Sequence, residues 1–228
     1  MVLTRQLKFQ YGHGEAFNFP DIKLETTQHL AILGPSGVGK TTLLHLLSGI
    51  LPPLSGSIQI NGTEITGLNR KALDQFRGEH IGLVFQRYHF VKSLNVQENL
   101  RLRQFFPGKM KEKERREAIA ERLGLTAYLK KRVMQLSQGQ QQRLSIALGL
   151  IHKPKVVFAD EPTSNLDDVN CEKVLELLKE EANLCGSSLV IITHDQRVTE
   201  HFKTIEYGVE FVASGLKCII GHLCATVE

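Results

Sequence analysis

Residues 29–42, HLAILGPSGVGKTT, decide the fold. An apolar run of strand length enters a glycine-rich loop. The loop then opens a helical pattern over 41–50, which Gly49 and the pair Pro52-Pro53 bring to a stop. Gly34, Pro35, Ser36, Gly37, Val38, Gly39, Lys40 and Thr41 fit G-x-x-x-x-G-K-[ST] in the strand-to-helix context that the pattern requires. Each residue type has a physical reason. Glycines let backbone N–H groups turn inward around an anion, and the helix N-terminus adds partial positive charge. Lys40 reaches the terminal phosphates, and the Thr41 hydroxyl can ligate Mg²⁺. A merely structural turn would need neither. The expected nucleoside triphosphate site runs from Gly34 through Thr42.

Further along, IGLVF (81–85), KVVFA (155–159) and SLVIIT (188–193) are short β-branched runs of the kind buried on both faces of a parallel sheet. The second ends in Asp160-Glu161-Pro162, which sets two carboxylates at the sheet edge where ligands bind. Asp160 can hold Mg²⁺, directly or through water, and Glu161 can polarise the water that attacks a γ-phosphate. The bland alternative is an exposed acidic turn. Residues 2–33 read as VLTRQLKF, FNFPDIKL and HLAIL, short strands suited to an antiparallel, half-exposed layer. Residues 86–154 are polar and helical in pattern, closed by a helix over about 138–152 that Pro154 ends. The expected fold is therefore α/β: a mostly parallel sheet, an N-terminal antiparallel β-layer and an inserted α-helical subdomain. It forms one domain, with residues 1–85 and 155–228 as the nucleotide-binding core and 86–154 as the subdomain.

Composition excludes other classes. The chain of 228 residues is 42% hydrophobic and 23% charged, ordinary for a globular domain and too balanced for a disordered tail or a fibre. No apolar stretch reaches the roughly 18 residues of a membrane span, and residues 1–10 alternate polar and apolar, so the chain is expected to be soluble and to stay where it is made. Residues 109–132 carry nine Lys/Arg and four Asp/Glu, a local +5 against +4 for the whole chain. Within them KEKERREAIAERL (111–123) mixes signs at helical spacing and lacks interleaved aromatics, so it reads as a solvated helix and no nucleic acid is expected. Cys171, Cys185, Cys218 and Cys224 form no C-x-x-C pair and read as free thiols.

The stretch LSQGQQQR (136–143), which lies 160 − 137 = 23 residues before Asp160, resembles the signature motif of the ATP-binding cassette (ABC) ATPases. Gln138 stands where that motif usually has its first glycine, while Ser137, Gly139 and Gln140 are in place. Five further elements match in order: Tyr11, Gln86 after IGLVF, Asp160-Glu161, the loop Ser164-Asn165-Leu166-Asp167, and His194 in IITHD. Taken singly, Tyr11 could be a surface aromatic, Gln86 a strand-end polar residue and His194 a satisfied histidine. In this order and company the functional reading prevails. The resemblance implies ATP and Mg²⁺, with Tyr11 stacking on adenine, Gln86 sensing the metal and His194 contacting the γ-phosphate. It also implies head-to-tail pairing, as a homodimer or heterodimer. Ser137, Gln138, Gly139 and Gln140 of one subunit would then cover the nucleotide of the other, and Asp167 would act across the interface.

The wording IGLVFQ, SLNVQENL and NGTEITGL is similar to the bacterial subfamily of lipoprotein-release, macrolide-export and cell-division type ATPases. That likeness implies integral membrane subunits as partners, received near residues 87–99, and a position on the cytoplasmic face of the inner (plasma) membrane. A DNA-repair or chromosome-associated ABC ATPase would need a long coiled coil between Gln86 and Ser137, where only about 50 residues lie. A P-loop kinase would have no use for the signature. Residues 201–228 match the family only loosely and read as a divergent final hairpin and short helix.

Overall fold

The computed structural model describes residues 1–14, 16–105, 112–164 and 166–198, and two backbone strands in 208–217. The chain begins with β1 (Val2–Gln10), β2 (Ala16–Asn18), β3 (Lys23–Leu24) and β4 (His29–Leu33), and then enters α1 (Lys40–Leu47). It continues through β5 (Ser55–Ile60), β6 (Thr63–Glu64), α2 (Arg70–His80) and β7 (Ile81–Val84). Three helices follow, α3 (Val96–Phe105), α4 (Lys113–Arg122) and α5 (Gln138–Leu150). The order ends with β8 (Val156–Asp160), α6 (Asp168–Leu184), β9 (Ser188–Thr193), β10 (Gly208–Val212) and β11 (Gly215–Lys217).

One six-stranded sheet has the order β11-β10-β4-β9-β8-β7, parallel except for the terminal β10–β11 hairpin. Every residue of β8 and β9 is buried, which is why their sequences run apolar without alternation. Their side chains still divide by parity. Val157, Ala159, Leu189 and Ile191 join the core under α5 and α6, while Val156, Phe158, Val190 and Ile192 join the core shared with α1 and the second sheet.

The second sheet, β2-β1-β5-β6 with β3 also on β1, is antiparallel. Two expectations are corrected in this region. HLAIL leaves the antiparallel layer and becomes β4, parallel to β9 and β10, because its continuous apolar run has two faces to bury. FNFPDIKL is two strands, since Pro20 has no N–H for a ladder and Gln6 of β1 is bonded by its own N–H to the Asp21 carboxylate at 2.6 Å. A bulge in the β1–β5 pairing between Arg5 and Lys8, with Gln6 at φ +48°, accompanies the break.

The segment expected to be helical supplies α3, α4 and α5, and Ile119 and Leu123 of the mixed-charge stretch are buried. Asn69 caps α2 by accepting from Ala72 N at 3.0 Å. Residues 106–111, Cys218, Cys224 and the expected C-terminal short helix lie outside the described residues, as does Asn165. Cys171 and Cys185 are free thiols.

Helix α5 reaches the sheet through a glycine contact. A Cβ on Gly82 of β7 would stand 2.2 Å from the Gly149 carbonyl oxygen of α5, and one on Gly149 would stand 2.9 Å from a Val84 methyl. The Gly82 contact is with backbone, so no rotamer change relieves it. Gly82→Ala is expected to destabilise the fold by about 3 kcal/mol, read as a lowered urea midpoint at unchanged m-value. A midpoint equal to wild type would show that α5 can lift off the sheet at little cost.

Candidate nucleotide site

The loop from Gly34 to Gly39 leaves the C-terminal end of β4 and feeds α1 at Lys40. Gly37 and Gly39 have φ of +86° and +101°, a region open to glycine, and a Cβ on Gly39 would also press on the Phe17 ring at 2.9 Å. Lys40 is buried, and its ammonium donates to the carbonyls of Gly34 at 2.7 Å and Pro35 at 2.9 Å. Burial pushes its pKa down, against the pull of Glu161 and Asp160.

The Thr41 hydroxyl donates to both oxygens of Asp160, at 3.3 and 3.2 Å. Asp160 is pushed above the usual carboxylate range, chiefly by burial and further by neighbouring Glu161, with the Thr41 bond opposing. The Tyr11 ring is half exposed beside the loop, its hydroxyl 3.1 Å from Thr42 Oγ1 and its ring edge-on to Phe9. Gln86 is exposed just beyond β7, the strand that pairs with β8.

Glu161 follows β8 with a left-handed φ of +48°, while its N–H still bonds Ile192 O at 2.8 Å. Such a conformation costs a non-glycine residue about 1 kcal/mol and redirects the side chain at the sheet edge. The carboxylate then accepts from three donors of the loop after β9. They are Thr193 Oγ1 at 2.8 Å, the His194 backbone N–H at 3.2 Å, and His194 Nδ1 at 2.8 Å. A carboxylate only accepts, so Nδ1 carries the proton, and Nε2 can donate onward only in the imidazolium form.

The signature opens α5. Ser137 is its N-cap: Ser137 Oγ accepts from Gln140 N at 3.4 Å, and Gln140 Oε1 accepts from Ser137 N at 2.9 Å. Gln138 takes the first helical position, and a Cβ on Gly139 would meet nothing within 4 Å of its own chain. Asp167 caps α6, accepting from Asn170 N at 2.9 Å and Asn170 Nδ2 at 2.7 Å. The structure therefore joins Lys40, Thr41, Asp160, Glu161 and His194 in one cluster, with Tyr11 and Thr42 beside it. Ser137, Gln138, Gly139 and Gln140 share no hydrogen bond with that cluster among the described residues.

Four further residues hold the site and were not read from the sequence. Thr193 anchors Glu161. Gln142 of α5 donates to the carbonyl of Pro162, next to Glu161. Thr163 and Arg197 both donate to Asp195, at 3.0 Å from the threonine hydroxyl and 2.8 Å from Arg197 Nη2. The motif patterns mark single segments, whereas these four residues join positions 20 or more apart in sequence, Arg197 through Leu166 O.

Fold and site define a P-loop ATPase with a β-layer beside its phosphate loop and a helical segment between its second and third sheet strands. The chain belongs to the ABC transporter family, whose description matches residues 17–164, and it is an ATP-binding, ATP-hydrolysing cassette. It is similar to the lipoprotein-releasing system ATP-binding protein LolD of Legionella pneumophila (strain Paris), 35% identical over 90% of this chain and 93% of that one. It is 37% identical to the macrolide export ATP-binding/permease protein MacB of Rhodopseudomonas palustris (strain BisB18), over 90% of this chain and 32% of that longer one. Among solved structures, the ATP-binding cassette MJ0796, dimeric and bound to ADP and Pi after hydrolysis, superposes with TM-score 0.83 at 28% identity, over 95% of this chain and 97% of the other.

Proposed function

We propose that the chain drives a membrane complex by closing head to tail on a second ATPase subunit around Mg²⁺-ATP, with Glu161 as the general base. The observation that carries this reading is the Glu161 carboxylate held by Thr193 and His194 at the edge beside Lys40 and the Thr41–Asp160 pair. Gly34, Pro35, Ser36, Gly37, Val38 and Gly39 wrap the phosphates with backbone N–H groups, Lys40 pairs their charge, and Thr42 with Tyr11 borders the adenosine side. Mg²⁺ fits the donor set: a hydroxyl and a carboxylate are hard oxygen ligands, and a cation beside Asp160 would reverse the effect of burial. When bound it would supply positive charge to the phosphates, held by Thr41 and Asp160 with Gln86 as a further oxygen donor. Glu161 accepts the proton of the attacking water, and His194 keeps its Nδ1–H on Glu161 with Nε2 left to face the γ-phosphate.

Open space at Gly139 and the exposed start of α5 support an anion of the partner's nucleotide as the occupant. The dimeric state of the MJ0796 cassette supports the pairing. Gln138 already has helical backbone, so Gln138→Gly is expected to leave turnover within about threefold, under roughly 1 kcal/mol in the barrier. A larger loss in a steady-state phosphate assay would mean that the Gln138 side chain itself contacts nucleotide.

A groove of about 470 Å³, lined by Ile50, Phe85, Phe90, Val91, Leu102 and Arg103, borders the loop after Gln86. It suits a short helix of an integral membrane subunit, as the names of the export and lipoprotein-release relatives suggest. No helix among the described residues is long and apolar enough to cross a membrane. This chain would sit peripherally at the cytoplasmic face of the inner membrane, its core at 1–85 and 155–228 and its helical subdomain at 86–154 moving with the partner. Affinity capture from detergent-solubilised membranes tests the reading. Wild type should retain an integral membrane protein, whereas Leu102→Asp should lose it and keep ATP binding. Retention of the same partner by both would remove the groove from the interface.

A further inference from the structure

A charge cluster ties the loop after β8 to the loop after β9, and the reading above gives it no role. Arg197 lies three residues beyond His194. It bonds Asp195 through its backbone N–H at 3.0 Å, through Nε at 2.9 and 3.2 Å, and through Nη2 at 2.8 Å. The outer arm of the same guanidinium donates to Leu166 O at 3.3 Å and, through Nη1, to Asp168 Oδ1 at 2.5 Å. Leu166 and Asp168 flank Asp167 on either side. Asp195 in turn accepts from buried Thr163, which stands two residues past Glu161, and its N–H donates to the Thr193 hydroxyl that holds Glu161. One planar fork thus reaches the loop around Asp167 and the loop around His194 simultaneously.

Stability is a weak reason for this arrangement. Arg197 is 39% exposed and Asp168 is 89% exposed, so their pair gains little in water. Helix α6 already has its N-cap in Asp167 and an acidic residue in its first turn, so it has no electrostatic need of a cation there. What the cluster does fix is the position of one loop relative to the other. Arg197 also holds the Asp195 carboxyl below the usual carboxylate range, keeping it ionised as the hub of these bonds.

We propose that Arg197 is a positioning residue that couples the partner-facing loop at Asp167 to the Glu161–His194 pair, so that closure on the second subunit sets the hydrolytic geometry in this one. The proposal rests on the head-to-tail pairing above. The partner's approach displaces or steadies Asp167, and the guanidinium passes that displacement to Asp195. From there it reaches Thr193 and His194, which orient the base. Lysine cannot replace it fully, because one ammonium does not span Asp195, Leu166 O and Asp168 together.

The test uses Arg197→Ala and Arg197→Lys in the full chain, each with native Glu161 and with Glu161→Gln. Affinity of the chain for a fluorescent ATP analogue should stay within about twofold, since no bond of Arg197 reaches the phosphate loop. ATP-dependent dimers of the Gln-bearing chain should persist by gel filtration. Turnover of Arg197→Ala should fall about tenfold, and its dependence on ATP concentration should lose cooperativity, with Arg197→Lys recovering part of both. Wild-type turnover and cooperativity in Arg197→Ala would overturn the proposal, as would an equal fall in ATP affinity or thermal stability, which would make Arg197 merely structural. Failure of Glu161→Gln to dimerise with native Arg197 would instead defeat the pairing on which the proposal depends.

Discussion

Glu161→Gln is expected to lower ATP turnover about a thousandfold while leaving ATP bound. The substitution keeps volume and planarity, so the strained turn at φ +48° and the N–H bond to Ile192 O have no reason to change. What changes is proton affinity. The carboxylate accepts from Thr193, from the His194 N–H and from His194 Nδ1. An amide has one accepting oxygen for those donors, and its NH₂ must face one of them. The base is lost, and His194 is no longer held as a donor by an anion. With hydrolysis blocked, the nucleotide stays between the subunits, so gel filtration in Mg²⁺-ATP should show a dimer that ADP does not produce. A variant that remained monomeric with Mg²⁺-ATP would sink the paired model, and one that kept turning over would show that another group takes the water proton.

The parts of the site legible in the sequence are those that local chemistry specifies. Gly37 and Gly39 announce a loop because their backbone angles are open to glycine, and Lys40 and Thr41 announce phosphate and metal because a turn has no use for them. Asp160 and Glu161 announce an edge because VVF commits the preceding residues to the interior. The signature helix is expected over about 138–152 and spans Gln138–Leu150, where Ser137 and Gln140 satisfy each other's backbone N–H groups. Adjacency in sequence assigns HLAIL to the antiparallel layer, whereas its pairing with β9 and β10 is fixed by residues about 160 and 180 positions away.

Thr193, Gln142, Thr163 and Arg197 were illegible for the same reason. Each is an ordinary residue whose role depends on which loop the tertiary fold sets opposite it. Arg197 in particular reads as one more surface cation until Leu166 and Asp168 are brought beside it. The bond from Gln142 to Pro162 lies inside the helix that carries the signature, yet no periodicity along that helix could show what stands across from it.

Lys40→Ala is expected to weaken ATP binding about a hundredfold. The ammonium sits buried over the Gly34 and Pro35 carbonyls, and it interacts electrostatically with both Glu161 and Asp160. Two effects combine on its removal. The phosphates lose charge-assisted hydrogen bonds, each contributing about 1.5–3 kcal/mol, so even one strong contact accounts for most of the loss. The two carboxylates then face the triphosphate with less positive charge between them, in a site where burial already penalises the ionised Asp160. The fold should tolerate the change: alanine suits the first turn of α1, and the Gly34 and Pro35 carbonyls lie at a partly exposed loop where water can replace the ammonium. Titration calorimetry with ATP on wild type and Lys40→Ala, matched by thermal unfolding of both, separates these effects. Unchanged affinity would defeat the assignment of Gly34–Thr41 as the phosphate site, and lost affinity with a collapsed unfolding temperature would make Lys40 a structural cation. Lost affinity at native stability leaves one explanation, a lysine whose charge is spent on the nucleotide and not on the fold.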